Sequence, residues 1–391
     1  MSQTHSTLPL DGIRVIDLTQ VVAGPYCTLM LADMGAEVVK IERPGQGDDL
    51  RRTMPYQGRE GHEDYFNALN RSKKSVTLNL KDKADQATAL RLAELADVLV
   101  ENFAPGTAER LGIGWQVACK SNPRLVYCSL SGFGQTGPYA HRPAMDPIIQ
   151  AMTGIMSVTG FPDSEPAMIG VPLADVISGM FAAYAIVNAL RLVTDAGGGQ
   201  YIDLSMQDAM LAALGIRMGE TLQAGTSPSR LGNENPIRVP ANTYRTADDL
   251  YIAIIVHNEE QWRPFCQALD KVEWIAHPRF RTMALRMQHR VELNGLIAGR
   301  FLEHDSNHWK ARLEESRISY GFVNDYARAL QDPQVAHRGL IRELDHPRSG
   351  TIKVVGPPWR MSGTPTEMKP PPVLGEHTAE VLKDWLGIRA C

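Results

Sequence analysis

Residues 13–42 read IRVIDLTQVVAGPYCTLMLADMGAEVVKIE, and this segment sets the architecture of the chain. Two apolar strand candidates, IRVIDLT and EVVKIE, flank a segment that predicts a helix. Pro25 stands where a first helical residue tolerates proline, and Gly35 stands where a helix stops. A helix between two strands indicates a crossover connection, which makes the strands parallel. The start of the chain therefore predicts a β-α-β unit.

The same alternation continues along the first third of the chain. SVTLNL (75–80), DVLVEN (97–102) and RLVYCSL (124–130) are further strand candidates, and apolar residues recur at helical spacing over 83–96. Strands that alternate with helices predict a mostly parallel sheet covered on both faces. We therefore expect an α/β fold.

A long apolar segment, 176–193, predicts a helix that is apolar on every side. Its length is close to that of a membrane span. It contains Asn188 and Arg191, however, and its alanines and glycines suit close packing against other helices. We therefore predict a buried helix. GGGQ (197–200) then precedes a strand, YIDLSM, and a helix over about 207–222.

The length of 391 residues exceeds one ordinary core and predicts two or three domains. AGTSPSRLGNENP (224–236) is rich in turn residues and indicates a linker. Beyond it, a strand, LYIAIIV, and helical stretches at 259–269 and 284–315 predict a smaller α/β unit. Near DPQVAHRGL the pattern changes to a hairpin, RELDHPRSGTIKVV, and a final helix at about 377–386. The predicted domain boundaries are 1–224, 225–325 and 326–391.

Composition limits the classes of partner. Apolar residues are 43% and charged residues 21%, and the net charge of −4 gives no reason to expect nucleic acid or membrane binding. The five cysteines are few, odd in number and without CxxC spacing, which indicates a reducing compartment. MSQTHSTLPL at the start shows neither a secretory nor an Arg-rich amphipathic pattern, so we expect a cytoplasmic protein.

Two motifs resemble ligand sites but lack the context that such sites need. GFGQTG (132–137) fits the GxGxxG pattern of dinucleotide sites, yet Pro138 and Pro143 follow where that site would open a helix. We interpret it as a glycine loop where backbone can approach a ligand closely. His304 and His308 have the spacing of a helical metal pair without a third ligand, so we predict a solvated helix face and no metal.

Basic residues are concentrated between the second and third predicted strands. Such a run can form a solvated face or bind a polyanionic cofactor, because Arg and Lys suit phosphates, and the spacing leaves both alternatives open. The residues are Lys40, Arg43, Arg51, Arg52, Arg59, Arg71, Lys73, Lys74 and Lys81.

A single carboxylate, Asp175, stands in VPLADVISGM (171–180) at the start of the long apolar helix. Spacing alone favours a helix N-cap, since Asp accepts hydrogen bonds from exposed first-turn amides. The position also suits chemistry, because a helix N-terminus favours the charged form of a carboxylate even where it is desolvated. An ionised carboxylate aimed into a pocket can act as a nucleophile or a base, and the residues alone leave both alternatives open.

Six motifs, in order along the chain, resemble the class III CoA-transferases. This family includes formyl-CoA transferase, carnitine CoA-transferase and the α-methylacyl-CoA racemases. The motifs are LDGIRVIDLTQVVAGPYCTLMLADMGAEVVKIERPGQGD, NRSKKSVTLNLK, VLVENFAPGTAERLG, GFGQTGP, LADVISGM and PPPVLGEHTAEVL. The resemblance covers about residues 8–384. Through GQTGP, HPRSGTIKVVGP and PPPVLGEHT the chain is most similar to the succinyl-CoA:glutarate branch.

The resemblance implies a large Rossmann-like domain built from both chain ends, a smaller inserted α/β domain and an interlocked homodimer. It also implies that coenzyme A and acyl-CoA are substrates, with a carboxylic acid as acceptor and no permanently bound cofactor. Asp175 occupies the position of the family's catalytic aspartate in the LAD motif. In the family this carboxylate attacks an acyl-CoA thioester, and the released thiolate converts the resulting anhydride into an aspartyl-CoA thioester. Such an exchange requires that water be excluded.

Further site residues carry over from the resemblance. Arg43 and Arg51 correspond to residues near the nucleotide phosphates, and Asn102, Phe103 and Arg110 correspond to residues that line the CoA channel. The segment beside the adenosine comprises Leu78, Asn79, Leu80 and Lys81. The residues close to the nucleophile comprise Gly134, Gln135 and Asp146.

Two positions distinguish this chain from family members with other activities. Met145 stands where the racemases carry histidine, and methionine exchanges no proton, so the two-base racemase mechanism lacks a partner. Val22 stands where the formyl-CoA transferases carry glutamine, which argues against an oxalate-specific pocket. The intact LAD motif and glycine loop favour an enzyme over a CoA-binding protein without turnover.

The similarity to the glutarate branch implies succinyl-CoA as donor and a short dicarboxylate, such as glutarate, itaconate, mesaconate or a malate relative, as acceptor. The distal charge of a dicarboxylate needs a partner inside a closed pocket, because an isolated buried carboxylate is very costly. Arg142 is the predicted partner, and Arg230 and Arg238 from the linker are further candidates. For each arginine taken alone, a solvated surface position is the alternative.

Overall fold

The computed structural model describes residues 8–53, 63–364 and 367–388. Contacts between residues divide the chain into two compact units. The first unit comprises the chain up to residue 156, residues 168–227, and the chain from residue 336 onward. The second unit comprises residues 157–167 and 228–335. The change of unit after residue 227 falls inside the turn-rich linker, whereas no sequence signal assigns 157–167 to the second unit.

The first unit alternates strands and helices from its start, as predicted. Its elements before the linker are β1 (Arg14–Asp17), α1 (Ala23–Asp33), β2 (Glu37–Glu42), α2 (Asp64–Leu69), β3 (Lys73–Thr77), α3 (Lys83–Glu94), β4 (Val98–Glu101), α4 (Thr107–Arg110), α5 (Trp115–Ser121), β5 (Val126–Ser131), α6 (Asp146–Met152), α7 (Ile155–Val158), α8 (Leu173–Ala196), β6 (Gln200–Ser205), α9 (Met206–Ala213) and α10 (Gly215–Ala224). The helix predicted over 207–222 is interrupted at Leu214, where α9 ends.

The six strands form one parallel sheet in the order β3-β2-β1-β4-β5-β6. The predicted α/β class is therefore confirmed. The strand order reverses between β1 and β4. A reversal of this kind creates a crevice at the carboxyl ends of the strands, where open α/β sheets bind their ligands.

Both faces of the sheet are covered. Val15, Val98 and Val126 lie in a core that includes residues of α1 and α8, whereas the alternate residues Ile16 and Leu99 lie in a core with α3. Successive side chains of a strand point to opposite faces, so strands that are apolar throughout are suited to burial on both sides.

The long apolar helix α8 is buried on one side only. Ala182 and Ile186 lie in the core, and α8 approaches α1 so closely that a Cβ at Gly179 would come within 2.6 Å of the Ala23 carbonyl oxygen. The predicted buried helix is only partly buried in the single chain, because the neighbouring elements cover one side. The exposed side carries Met180, Phe181, Tyr184, Val187 and Leu192. In the part of the chain that the structure describes, one segment is long and apolar enough to cross a membrane by length and composition, Leu173–Val193.

The second unit combines a small antiparallel sheet with helices around its own hydrophobic core. Its elements are β7 (Ala241–Arg245), β8 (Tyr251–Ile255), α11 (Glu259–Ala268), α12 (Met283–Gln288), α13 (Arg290–Phe301), α14 (Ser306–Glu315), β9 (Ser319–Phe322) and α15 (Tyr326–Leu330). The strands pair in the order β7-β8-β9. Trp262, Phe265 and Trp309 are buried in this core.

The last part of the chain returns to the first unit. Its elements are α16 (Pro333–Arg338), β10 (Ile341–His346), β11 (Gly350–Val355) and α17 (Thr378–Leu386). The strands β10 and β11 form the predicted antiparallel hairpin. Helix α17 buries Val381 and Trp385 in the core beside α3, and the Thr77 amide donates to Thr378 Oγ1 at 3.1 Å. Both ends of the chain therefore contribute to one core.

Candidate active site

A cavity of about 480 Å³ opens beside the carboxyl ends of β1, β4 and β5, in the crevice that the strand order creates. The predicted site residues that line it are Val22, Asn102, Phe103, Arg142, Met145 and Asp175. The predicted site residues that lie elsewhere are Arg43, Arg51, Leu78, Asn79, Leu80, Lys81, Arg110, Gly134, Gln135 and Asp146.

Asp175 is the third residue of α8 and lines the cavity. The N-cap position belongs to Pro172, which offers no side-chain acceptor. The acceptor comes instead from Asp146, whose Oδ1 lies 2.7 Å from the Ala174 amide nitrogen and 3.4 Å from the Asp175 amide nitrogen. The N-cap interpretation of Asp175 is therefore wrong. A different carboxylate caps this helix.

The protonation of Asp175 is balanced near neutral pH. Burial raises the pKa of its carboxyl to about 7, and the charge of Asp146 adds to the rise. We expected the helix N-terminus to keep this carboxylate ionised. That expectation is wrong because Asp146 accepts the first-turn hydrogen bonds and brings a like charge to the same place.

The loop between β1 and α1 forms one wall of the cavity and is held by side chains from other elements. Val21 has a φ of +67°, which is strained for a β-branched residue. Asn102 accepts from the Gln20 amide and donates to the Gln20 carbonyl, both at 2.9 Å. Asp48 Oδ1 accepts from the Val21 amide at 3.2 Å. These bonds fix the strained loop and with it the position of Val22.

Four residues of the basic cluster are buried and form ion pairs with carboxylates of the same chain. They therefore do not form the solvated face that was one of the two alternatives, and their charges are already balanced. The pairs are Lys40 with Asp48, Arg51 with Glu42 and Glu63, Arg71 with Asp33, and Lys73 with Asp17. Arg51 donates to both oxygens of Glu42 at 2.7 Å. Its guanidinium is already bound to carboxylates, and the expected contact of Arg51 with the nucleotide phosphates stays a prediction. Arg59 lies outside the described residues.

The remaining candidates for CoA contact differ in their accessibility. Arg43, Lys81 and Arg110 are exposed, and within the described ranges no carboxylate pairs with Lys81 or Arg110. Arg43 pairs with Asp49 at 2.6 Å on the surface, where such pairs are weak and exchangeable. Leu78 is buried in the core, so only its backbone can meet a ligand. The rest of this segment comprises exposed Asn79 and half-buried Leu80.

The glycine loop connects β5 to α6 and does not open a helix, as the prolines predicted, since α6 begins only at Asp146. Gly132 lies so close to Ala144 that a Cβ at Gly132 would come within 2.2 Å of the Ala144 Cβ. The Gln135 amide donates to the Asp203 carboxylate at 3.1 Å. The loop thus folds back and brings Ala144 and its neighbours to the cavity.

Arg142 and His141 line the cavity next to each other. The Arg142 guanidinium lies 5.3 Å from the Tyr139 ring centroid and 5.9 Å from the Phe133 ring centroid, and no carboxylate among the described residues pairs with it. Sequence reasoning missed His141 and also Ser131, whose buried Oγ has no hydrogen-bond partner in the described part of the chain. Their proximity to the glycine loop was the available signal.

No group of three or more metal-ligating side chains occurs within residues 8–53, 63–364 and 367–388. His304 and His308 stack with their ring centroids 3.9 Å apart. Both are half-buried, and His304 precedes the helix that contains His308. The predicted solvated helix face is therefore wrong.

Sequence comparison and structure comparison both find known proteins that match nearly the whole chain. The profile of the family described as CoA-transferase family III matches residues 10–378. The chain is 39% identical to succinyl-CoA:glutarate CoA-transferase of Mus musculus over 387 residues, covering 98% of this chain and 88% of the relative. It is 38% identical to acetyl-CoA:oxalate CoA-transferase of Acetobacter aceti, with 96% of each chain covered. A solved structure of a CaiB/BaiF family protein from Brucella suis has a TM-score of 0.88 at 34% identity, covering 97% of this chain and 100% of the other.

Proposed function

Because the chain belongs to CoA-transferase family III and is a CoA-transferase, we propose that it moves CoA from succinyl-CoA to a short dicarboxylic acid through a covalent thioester on Asp175. One observation carries the proposal. A half-buried carboxylate, with a pKa raised to about 7, lines the cavity at the point where the strand order reverses. Such a group has the basicity and the access that a nucleophile needs.

Each half-reaction exchanges bonds without water. An oxygen of Asp175 attacks the carbonyl carbon of the donor thioester, the C–S bond breaks, and CoA leaves as the thiolate. The thiolate then attacks the aspartyl carbonyl carbon of the mixed anhydride, and the donor acid leaves as its carboxylate. The acceptor carboxylate reverses these two steps. The energy of the thioester is conserved as long as water is kept out of the cavity.

The guanidinium of Arg142 in the cavity and the names of two relatives support a dicarboxylic acceptor. The two relatives are named for glutarate and oxalate, which are both dicarboxylates. A dicarboxylate keeps one charged group that does not react, and burying that charge without a partner would be costly. Arg142 is held by aromatic rings rather than by a protein carboxylate, so it can supply the opposite charge. Arg230 and Arg238 lie in the second unit, and their part in the site stays a prediction.

The CoA nucleotide is proposed to contact surface residues of the first unit. Arg43, Lys81 and Arg110 offer exposed positive charge for its phosphates. Their contributions follow the family resemblance, in which 1–224 and 326–391 form a CoA-binding domain and 225–325 forms the insertion. The same resemblance and the cysteine content support a cytoplasmic enzyme. The cysteines among the described residues are free, which fits a reducing compartment, namely Cys27, Cys119, Cys128 and Cys266.

A homodimer, in the interlocked form that the resemblance implies, is part of the proposal. The exposed side of α8 supports it. Met180, Phe181 and Tyr184 line an apolar depression of about 400 Å³ together with Ile177 and Ala213. Contiguous apolar surface of this kind favours cover by another protein surface.

Met145 argues against the racemase alternative. It lines the cavity with 62% of its surface exposed. A thioether neither donates nor accepts the proton that a racemase must move, so the position offers no second base opposite Asp175.

Mass spectrometry of the intact protein tests the covalent intermediate. After mixing with succinyl-CoA, the wild type should gain an adduct, and Asp175→Asn, which has nearly the same shape, should gain none. Hydroxylamine or borohydride added during turnover should modify the peptide that contains Asp175. The matched control is Asp384→Asn, which changes an exposed carboxylate of α17 and should leave the adduct intact.

Two results would contradict the proposal. An enzyme that transfers CoA while every Asp175 peptide stays unmodified would exclude the aspartyl thioester. Transfer to carnitine, formate or a bile acid in preference to every short dicarboxylate would exclude the acceptor class.

A further inference from the structure

We propose that Asp146 is the positioning residue of Asp175: it caps the first turn of α8 from the neighbouring helix α6 and sets both the orientation and the charge state of the Asp175 carboxylate. This role deepens the proposed function and rests on Asp175 being the nucleophile.

The first turn of α8 has no cap from its own segment. Its N-cap residue is Pro172, which has no side-chain oxygen, and the helix that follows extends from Leu173 to Ala196. The first amides of such a helix need an outside acceptor. Asp146 supplies it, with Oδ1 at 2.7 Å from the Ala174 nitrogen. The residue is 8% exposed, so water does not compete freely for this bond.

The second oxygen of Asp146 is fixed as well. Gln150, fully buried one turn later on α6, donates from Nε2 to Asp146 Oδ2 at 2.8 Å. The same Gln150 side chain accepts from the Ile169 amide at 2.9 Å through Oε1. Asp146 and Gln150 therefore bind the chain that enters α8 as well as its first turn. The backbone that carries Asp175 cannot shift without breaking this set of bonds.

The cap also determines which dipoles and charges act on the Asp175 carboxylate. The Asp175 amide points to Asp146 at 3.4 Å, so the first-turn dipoles that would stabilise a negative Asp175 act on Asp146 instead. Burial and the Asp146 charge then raise the pKa of Asp175 to about 7. Among the described residues, the other charged or titratable groups in the cavity and on the elements packed against α8 are His141, Arg142, Tyr26, Cys27, Asp33, Tyr127, Cys128, Tyr201, Asp203 and Asp208.

Asp146→Asn removes the negative charge beside Asp175 and keeps an acceptor for the first turn of α8. Its carbonyl oxygen still accepts from the Ala174 amide, so the cap is retained. Its Nδ2 cannot accept from Gln150 as Asp146 Oδ2 does, and Gln150 Nε2 keeps its bond to the Val171 carbonyl at 3.3 Å. Without the like charge, the acid limb of kcat for CoA transfer should move to lower pH. Activity at pH 6 relative to pH 8 should rise from about one tenth in the wild type to about one half or more.

Asp146→Ala removes both the cap and the charge. We expect kcat at pH 8 to fall by about tenfold or more, because Asp175 loses its fixed position. The KM for the acyl-CoA should stay unchanged, because the proposed nucleotide contacts are not touched. The matched control is Asp305→Asn, which neutralises the cap of α14 in the second unit, where Asp305 accepts from the His308 amide at 2.8 Å. It should alter neither the pH profile nor kcat.

A second measurement does not depend on activity. A carboxyl with a raised folded pKa weakens the fold as the pH rises, so Asp175→Asn should melt at a higher temperature than the wild type, and by more at pH 8 than at pH 5. In the Asp146→Asn background this gain should shrink.

The outcomes are distinct. Equal loss of activity in Asp146→Asn and Asp146→Ala, with an unmoved acid limb, would overturn the proposal and leave Asp146 as a structural cap. A wild-type protein without CoA transfer would contradict the proposed function, and the melting comparison would then still decide the role of Asp146.

Discussion

Asp17 and Asp175 are carboxylates at the same edge of the same sheet, and the fold surrounds them with opposite charges. Asp17 ends β1 and is fully buried. It accepts from the Thr19 and Thr28 hydroxyls at 2.5 and 2.7 Å and pairs with Lys73 at 3.1 Å. Asp175 has another carboxylate, Asp146, against its own first turn.

The two pKa values follow these neighbours. Burial pushes both upward. At Asp17 this push is overcome by Lys40, Lys73 and the two hydroxyls, which hold the pKa of that carboxyl well below its usual range. At Asp175 burial and Asp146 act in the same direction and raise the pKa to about 7. Burial raises the pKa of both carboxyls, and the charges placed beside each one decide whether that rise persists.

The surroundings of Asp17 also support the cavity that Asp175 lines. Lys40, close to Asp17, donates to the Thr19 carbonyl at 2.6 Å and pairs with Asp48 at 3.0 Å. Asp48 in turn accepts from the Val21 amide in the cavity wall. Asp17 and its lysines thus hold a strained loop in place, whereas Asp175 faces the space that this loop encloses.

The largest effect should come from removing the reactive carboxylate. Asp175→Ala should lower CoA transfer by at least about a thousandfold, because the proposed mechanism forms its anhydride on this carboxylate. Its affinity for CoA should stay close to wild type by calorimetry, and its free energy of unfolding by denaturant titration should not fall, because the variant also removes a buried carboxyl with a raised pKa. Retention of more than about one hundredth of the wild-type activity would show that Asp175 is not the nucleophile.

Asp17→Asn should have the converse effect. Neutralising Asp17 leaves the buried Lys73 without its ion-pair partner, and we expect the free energy of unfolding to fall by about 3–5 kcal/mol. Asp384→Asn, on the surface of α17, should cause no measurable change. A stability equal to wild type would show that Lys40 and Lys73 are not balanced by Asp17.

Arg142→Met tests whether Arg142 binds the acceptor. This residue lines the cavity, and no carboxylate among the described residues pairs with it. If it pairs the distal carboxylate of the acceptor, kcat/KM for the dicarboxylate should fall by about 2–3 kcal/mol, which is roughly 30- to 150-fold. Transfer to a monocarboxylate should stay nearly unchanged. Equal losses for both acceptors would show that the arginine is structural.

The smallest expected effect is the pH dependence of the wild type. A nucleophilic Asp175, as proposed, must be ionised, so its raised pKa predicts activity above about pH 7 that is lost as the pH falls below it. Between pH 8 and pH 6 the rate should fall by about tenfold. Asp17 stays ionised over this range, so its contribution to stability should be lost only as the pH falls below about 4. A rate that stays constant down to pH 5 would place the Asp175 pKa near its ordinary value.

Much of the first unit was predictable from local patterns. The strands β1, β2 and β4 and the helices α1 and α3 were predicted within a few residues, because apolar periodicity and Pro or Gly signals report on the chain's own neighbours. The candidate site was predictable in part. Asp175 and Arg142 do line the cavity, but Arg51 does not, since its guanidinium binds Glu42 and Glu63.

Contiguous residues and motifs were enough to establish the α/β class, the carboxylate at the start of α8 and the family. Three features became visible only in the folded chain: Asp146 caps the helix of Asp175, Lys73 neutralises Asp17, and one side of α8 is left exposed. These outcomes depend on atoms brought together from separate segments of the chain: 28 residues separate Asp146 from Ala174, and 56 separate Asp17 from Lys73. The charge state of a buried carboxylate depends on such distant neighbours, and therefore no local pattern reports it.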